Sequence, residues 1–496
     1  MNMKKKNDKN DIIIEELGGS CVGVTGSCTL ISYYNEELEE RRNIIMELGL
    51  IQKEQDPYKL YVDNSKMLQS ITKEILSKTD YILLSHPHID HCGNMAWANT
   101  KNEFNGKILS SYKTVELSKK LIADSVYIHE KNLEQIKNGT GKRLKALYTE
   151  QDMYDMFNKM ESVVVGEKIQ LNKNITIQLH HNNHSVGSVG ISLWVKKPNN
   201  NIKHILYSGD MGSNHNFEYN HFTDEFNLPN KCNVFLSEAT YWQEGRNFNK
   251  TIAREQREEL RKYLKESVSQ GKRVLICTFA YNRTQQLMRQ LYEWFSEDKD
   301  FTYPIVIDGF LTNRINDCFT SILDGEDADK WAETMSWSKF KFNREYPSTL
   351  ATLSVRQAGI YICSSGFMTA GRSLTYLPCM LGSSRDCVVS IGYYGEEGSK
   401  GWAIFDSPQK TVTIGSGKDK SVVYKRADCR KFNSFSSHIQ KDELFKLWSS
   451  MNCDQIIVHH SECDDNFINE AREYLRDKNR TTKITKTNKG SYRFVI

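Results

Sequence analysis

No apolar run in the 496 residues approaches the roughly 18–20 needed to cross a bilayer, so no membrane association is expected. The opening Met1–Asn10 is polar and lysine-rich, and the Ile12-Ile13-Ile14 run after it is too short for a signal-peptide core. Nothing here points away from the cytoplasm. Proline is sparse: its eight residues stand singly, which excludes a proline-rich linker, and there is no low-complexity tract or internal repeat. CxxC pairs are missing altogether. Among twelve cysteines the nearest neighbours are Cys21/Cys28 and Cys379/Cys387, a spacing that fits neither a zinc finger nor a dense disulfide framework. Several sit in apolar strand-like runs, Cys277 in VLICTF and Cys363 in IYICSS, and are expected to be buried free thiols of a reducing compartment. A strong charge of either sign is lacking too. The 66 basic and 62 acidic residues leave +4, which excludes a basic nucleic-acid coat protein but allows a local phosphate-binding groove.

What is present is length and pattern. The chain is too long for one ordinary core, which favours two or three domains. Short β-branched runs alternate with helix-period segments, the signature of α/β layers. A helix is expected over 251–269, with Asn249 or Thr251 near its start and Gly271 past its end. Another is expected over 284–296, with Leu287, Met288, Leu291, Tyr292 and Phe295 on one face. The apolar runs 273–277, 304–307, 359–363 and 387–391 read as buried parallel strands. Residues 242–424 therefore form an α/β domain of their own, inserted into an outer domain made from 1–241 and 425–496.

The densest chemistry is Leu83-Leu84-Ser85-His86-Pro87-His88-Ile89-Asp90-His91-Cys92-Gly93. Three histidines and an aspartate within six residues, just past an apolar strand, are zinc-type donors: imidazole nitrogen and carboxylate oxygen. In such a loop His86 and His88 can face one ion while Asp90 and His91 face a neighbour. Asp210, Glu238, His459 and Asp63 each follow an apolar run as well. Functional groups gather at the carboxyl ends of strands in open α/β sheets, so these tips describe one site. In His180-His181-Asn182-Asn183-His184, spacing alone does not choose among the three histidines.

At this point the residues resemble the metallo-β-lactamase/β-CASP nuclease family, which includes RNase J and the pre-mRNA 3′-end cleavage endonuclease. In tone the chain is closest to the compact prokaryotic members. Val24-Thr25-Gly26-Ser27-Cys28 resembles the family's opening strand turn, Asp63 its first motif, and His86-Pro-His88-Ile-Asp90-His91 its HxHxDH signature. His184 in NHSVGS resembles the third motif and Asp210 in YSGDMGS the fourth. Glu238 in LSEATY, His438 in SFSSH and His459 in IIVHH resemble motifs A, B and C. In the insertion, Phe279-Ala280 with Arg283-Thr284-Gln285, the Ser364-Ser365-Gly366-Phe367-Met368 and Gly371-Arg372-Ser373 loop, and the Gly392-Tyr393 turn are similar to β-CASP sequence. Three departures stand out. Ile439-Gln440 replaces the usual motif B aspartate, and Asn183 stands where glycine is usual. His459 is followed by His460, so either could be the ligand; His459 is preferred as the first residue past the strand.

The resemblance implies an αββα metallo-β-lactamase sandwich interrupted by an α/β β-CASP domain. It implies two Zn²⁺ per chain, one on His86, His88 and His184, the other on Asp90, His91 and His459, with Asp210 bridging. Asp63 would orient a ligand ring from behind. The activity implied is a ribonuclease, endo- or 5′-exo-, using a hydroxide shared by two metals to leave 5′-phosphate and 3′-hydroxyl. His438, oriented by Glu238, would protonate the leaving oxygen. Ser364, Ser365, Gly366, Arg372 and Arg283 would grip RNA phosphates. RNA is preferred to DNA because the DNA-processing branch has valine where this chain has the motif C histidine. A homodimer is compatible with the pattern. Two alternatives remain: a fold relative that hydrolyses a small ester or thioester, or a non-catalytic RNA-processing scaffold. The first has no use for a roughly 180-residue insertion, and the second typically loses ligands.

Overall fold

Alternation along short strands, with Ile44 turned one way and Ile45 the other, builds sheets that bury both faces. The computed structural model describes residues 8–19, 23–52, 56–100, 103–215, 221–243, 249–415, 420–487 and 493–496. Residues 1–7 of the lysine-rich start and Cys21 lie outside the described residues. The chain divides into two compact units. One holds the described residues of 1–214, 223–247 and 438–496, the other those of 215–222 and 248–437.

The first unit contains two sheets, each of seven strands among the described residues. The first runs Arg493–Val495, Ile13–Glu16, Thr29–Asn35, Glu40–Met46, Thr79–Leu83, Lys107–Ser110, Met160–Ser162; the second runs Lys483–Lys486, Gln455–His459, Val234–Glu238, Ile202–Tyr207, Val189–Lys196, Ile175–His181, Lys168–Gln170. Their facing sides share one core, in which Ile31, Ile44 and Leu83 meet Ile177, Ile191, Ile205, Leu236 and Ile457. Outward, Ile45, Ile82 and Ile108 pack on Leu68, Val115, Ile122 and Met153. On the other side Leu206, Phe235, Ile456 and Val458 pack on Leu444, Trp448, Phe467 and Leu475. The layers are helix, sheet, sheet, helix: an αββα sandwich.

Three strands of the second sheet, Ile202–Tyr207, Val234–Glu238 and Gln455–His459, run parallel, with Glu238 level with His459. Glu40–Met46 and Thr79–Leu83 are parallel in the first sheet. Their carboxyl ends carry Glu47, the His86–His91 loop, Asp210, Glu238 and the His459-His460 pair.

The second unit is built on a parallel sheet in the order Phe340–Asn343, Ile305–Asp308, Gly359–Cys363, Arg273–Cys277, Asp386–Ser390, Asp428–Lys431. The expected helices and strands appear here within a residue or two, as Lys250–Ser269, Arg283–Phe295 and these four central strands. One face buries Leu275, Val306, Tyr361 and Val388 against Tyr376, Leu377 and Met380. At the strand starts, buried Asp386 accepts from Arg273 Nη2 at 2.7 Å and from Arg356 Nη1 at 2.8 Å.

Candidate metal centre

Asp210 ends the turn after Ile202–Tyr207, and its buried carboxylate is the hub of the site. Its Oδ2 lies 3.5 Å from His86 Nε2, 3.3 Å from His91 Nε2 and 3.6 Å from His184 Nε2. Oδ1 lies 3.2 Å from His460 Nδ1. Two donor groups meet there. His86, His88 and His184 form one with Asp210; Asp90, His91 and His460 form the other. His88 occupies the N-cap position of the short helix Ile89–Cys92, and this one loop supplies residues to both groups.

These residues fit a pair of cations. The buried ring atoms His86 Nε2, His91 Nε2 and His460 Nε2 have no hydrogen-bond partner among the described residues. Each such atom costs on the order of 1–3 kcal/mol unless something occupies it. Ligands about 2.1 Å from one tetrahedral ion stand roughly 3.4 Å apart, and the spacings around Asp210 Oδ2 are 3.3–3.6 Å. Burial holds His86 and His184 well below the ordinary imidazole range, leaving neutral rings with a free lone pair. At His91 burial works downward, but the Glu47 and Asp210 carboxylates outweigh it and hold the ring well above that range. At Asp210 burial works upward, and the charges of His460 and His91 outweigh it and hold the carboxyl well below its usual range.

Two expected ligand-shell residues are corrected. His460, not His459, enters the second donor group. His459 ends its strand with the ring 5.0 Å from Tyr207, and neither of its nitrogens has a partner among the described residues. His460 sits at φ +49°, a left-handed backbone that turns its ring back to Asp210 and Asp90. Asp63 is not placed beside a cluster histidine. It lies half-buried in helix Pro57–Ser70, not after a strand, and makes no hydrogen bond to a cluster histidine among the described residues. Glu47 stands behind the cluster instead. Its carboxylate accepts from His91 Nδ1 at 2.6 Å, from the Tyr207 hydroxyl at 2.6 Å and from the Ser85 hydroxyl. Sequence reasoning missed it, although Glu47 follows the apolar run Ile44-Ile45-Met46 just as the other acids follow theirs.

Beside the donor groups, His438 Nδ1 stands 3.2 Å from both Glu238 oxygens, and its Nε2 is 3.9 Å from Asp210 Oδ2. Glu238 is itself fixed by the Met211 and Thr240 N–H groups. Burial lowers the His438 pKa, but the charge and hydrogen bond of Glu238, together with the Asp210 charge, outweigh it and raise the ring to about 9.

The five phosphate-binding candidates lie in the second unit. Ser365 N–H donates to Ala370 C=O at 3.1 Å, and its hydroxyl accepts from the Thr369 and Ala370 N–H groups. Gly366 packs against Phe279 so closely that a Cβ would meet the Phe279 nitrogen at 3.1 Å. Arg283 Nη2 donates to Ser437 Oγ at 3.3 Å. Ser364 is half-buried, and Arg372 Nε donates to Asp308 Oδ1 at 3.1 Å.

Known proteins resemble the chain in both halves. The Beta-Casp domain family matches residues 284–404, and the Anti-Pycsar protein Apyc1 family matches 49–237. Endoribonuclease YSH1 of Saccharomyces cerevisiae is 22% identical over 78% of this chain and 48% of its own length. Transcription termination factor FttA of Pyrococcus horikoshii is 22% identical over 82% of this chain and 60% of its own. Cleavage and polyadenylation specificity factor 73 of Drosophila melanogaster is 24% identical over 82% and 56%. The chain thus spans about half to three-fifths of the length of these relatives. A crystal structure of an Enterococcus faecalis protein of unknown function aligns over 98% of this chain and all of the other, with TM-score 0.52 and 11% identity; that likeness is one of fold. The fold is that of a metallo-β-lactamase-type protein, and its site holds two adjacent candidate cation-binding donor groups. Within it, residues 284–404 match the Beta-Casp domain family, and the chain is similar to relatives that include an endoribonuclease and a cleavage factor.

Proposed function

We propose that the chain is a zinc-dependent ribonuclease that cleaves RNA phosphodiester bonds to leave a 5′-phosphate and a 3′-hydroxyl. One observation carries the reading: the Asp210 carboxylate lies 3.2–3.6 Å from ring nitrogens of both donor groups, as a residue shared by two adjacent cations must. His86, His88 and His184 would hold one zinc, Asp90, His91 and His460 the second. Bound there, zinc supplies Lewis acidity and lowers the pKa of water from 15.7 towards about 7. Glu47 fixes the tautomer and tilt of His91 through Nδ1. His438 carries the proton for the leaving 3′-oxygen on Nε2, while Glu238 at Nδ1 keeps the ring protonated and aimed. The motif C histidine and the endoribonuclease among the relatives support RNA over DNA. The described cysteines are free thiols, and none of the described helices is long and apolar enough to cross a membrane, which supports action in the cytoplasm.

The test is incubation with end-labelled RNA and DNA of matched sequence, with and without a chelator. Chelator-sensitive cleavage of RNA, with DNA left intact, is expected. Intact RNA combined with hydrolysis of a chromogenic thioester would replace this reading with that of a small-molecule hydrolase. His438→Ala should lower turnover about 10²–10⁴-fold with metal content intact; wild-type turnover would remove its role as proton donor.

A further inference from the structure

The second unit ends one of its parallel strands in Asp308-Gly309-Phe310, and the surroundings of that turn are unusual. Helix Phe310–Ile322 starts at Gly309 with no side chain capping its first N–H groups. Buried Thr312 has no partner for its hydroxyl among the described residues. That hydroxyl points into the turn: a Cβ built on Gly309 would meet Thr312 Oγ1 at 2.9 Å and Ser364 Oγ at 3.4 Å. Gly309 N–H and Asn313 Nδ2 both donate to the Asn343 carbonyl, which ties in the segment leading to Tyr346. Buried Asp308 accepts hydrogen bonds from Thr349, Tyr376, Asn343 and Arg372. Arg372 gives it only Nε; its two terminal nitrogens have no hydrogen-bond partner among the described residues. Helix N–H groups, two hydroxyls and a guanidinium edge are the donors that suit a phosphate.

Two exposed aromatic rings stand beside this turn, Phe310 next to Gly309 and Tyr346 next to Arg372. Phe310 is 59% exposed with Arg314 5.5 Å over its ring, and Tyr346 is 46% exposed with Arg372 at 4.9 Å. Exposed aromatic faces backed by arginine are poor choices for bare solvent and good platforms for unpaired bases. We infer that Gly309, Thr312, Ser364 and Arg372 form a phosphate subsite, with Phe310 and Tyr346 stacking bases of single-stranded RNA on either side. The inference rests on the ribonuclease reading for its ligand and adds a specific grip, single-stranded and within the second unit, to the proposed activity.

The test is fluorescence anisotropy of labelled single-stranded and duplex RNA with the full chain in chelator, where binding is read without cleavage. Phe310→Ala and Tyr346→Ala should each weaken single-stranded binding about tenfold, and Tyr346→Phe should restore it. Duplex binding should change less than about twofold, because paired bases offer no free face. Tyr154→Ala, an exposed ring of the first unit, serves as control and should leave affinity unchanged. Equal loss in the control, or wild-type affinity in both ring variants of a protein that binds RNA, would overturn the subsite. A shift in oligomeric state with unchanged RNA affinity would reassign the rings to a protein contact. Wild-type protein that neither binds nor cleaves RNA would instead overturn the ribonuclease reading itself.

Discussion

His460 lies 3.9 Å from Asp90 of its own donor group and 3.2 Å from Asp210, whereas its neighbour His459 makes no ion pair with either. Elemental analysis of two variants separates them. His460→Ala should lose about one zinc per chain and at least about 100-fold in activity, since even removal of a group behind the ligands costs 10–100-fold. His459→Leu should keep its metal and its melting temperature, because it removes two buried nitrogens that have no partner among the described residues. Loss of metal in His459→Leu would restore the sequence-based choice. Glu47→Gln, which keeps shape but not charge, should weaken metal affinity about 10–100-fold in a chelator competition; unchanged affinity would mean Glu47 merely fills space. At this scale the HxHxDH donors were legible because they are contiguous. His460 was not, because its use depends on a backbone turn at φ +49° that no spacing encodes. Glu47 was legible in principle, by the same strand-end pattern that drew attention to Asp63.

Elements were easier to read where apolar runs are fully buried. The strands of the second unit, such as Arg273–Cys277 and Gly359–Cys363, are buried at every position and read directly as continuous apolar stretches. Residues 57–70 misled because Leu60-Tyr61-Val62 before an acid mimics a strand end. The better signal lay upstream: Asp56 accepts from the Lys59 N–H as an N-cap, and Pro57 starts the helix. One element also holds a testable charge. Asp386 is buried, and although burial pushes its pKa upward, Arg273 and Arg356 hold it below the ordinary aspartate value. A depressed folded pKa stabilises the fold above the unfolded value and loses that contribution as pH falls through the folded one. Asp386→Asn should therefore cost about 3–5 kcal/mol at neutral pH. The gap to wild type in thermal melts should narrow below about pH 4. A gap constant from pH 7 to pH 3 would show that the ion pair contributes no net charge effect.

At the scale of the molecule, chain order conceals the site. Glu47, the His86–His91 loop, His184, Asp210, Glu238, His438 and His460 are spread over more than four hundred residues and meet at the carboxyl edge of two facing sheets. The insertion between Glu238 and His438 folds as a separate unit around its own parallel sheet, so it separates those residues in sequence without dispersing them in space. Everything proposed for catalysis depends on that edge seating two cations. Zinc content of the full-length chain, purified mildly without chelator and measured by native mass spectrometry, tests it most directly. About two zinc ions per chain, falling below one when Asp210 is replaced by alanine, are expected. Less than one zinc in the unmodified chain, or full occupancy without Asp210, would contradict the account.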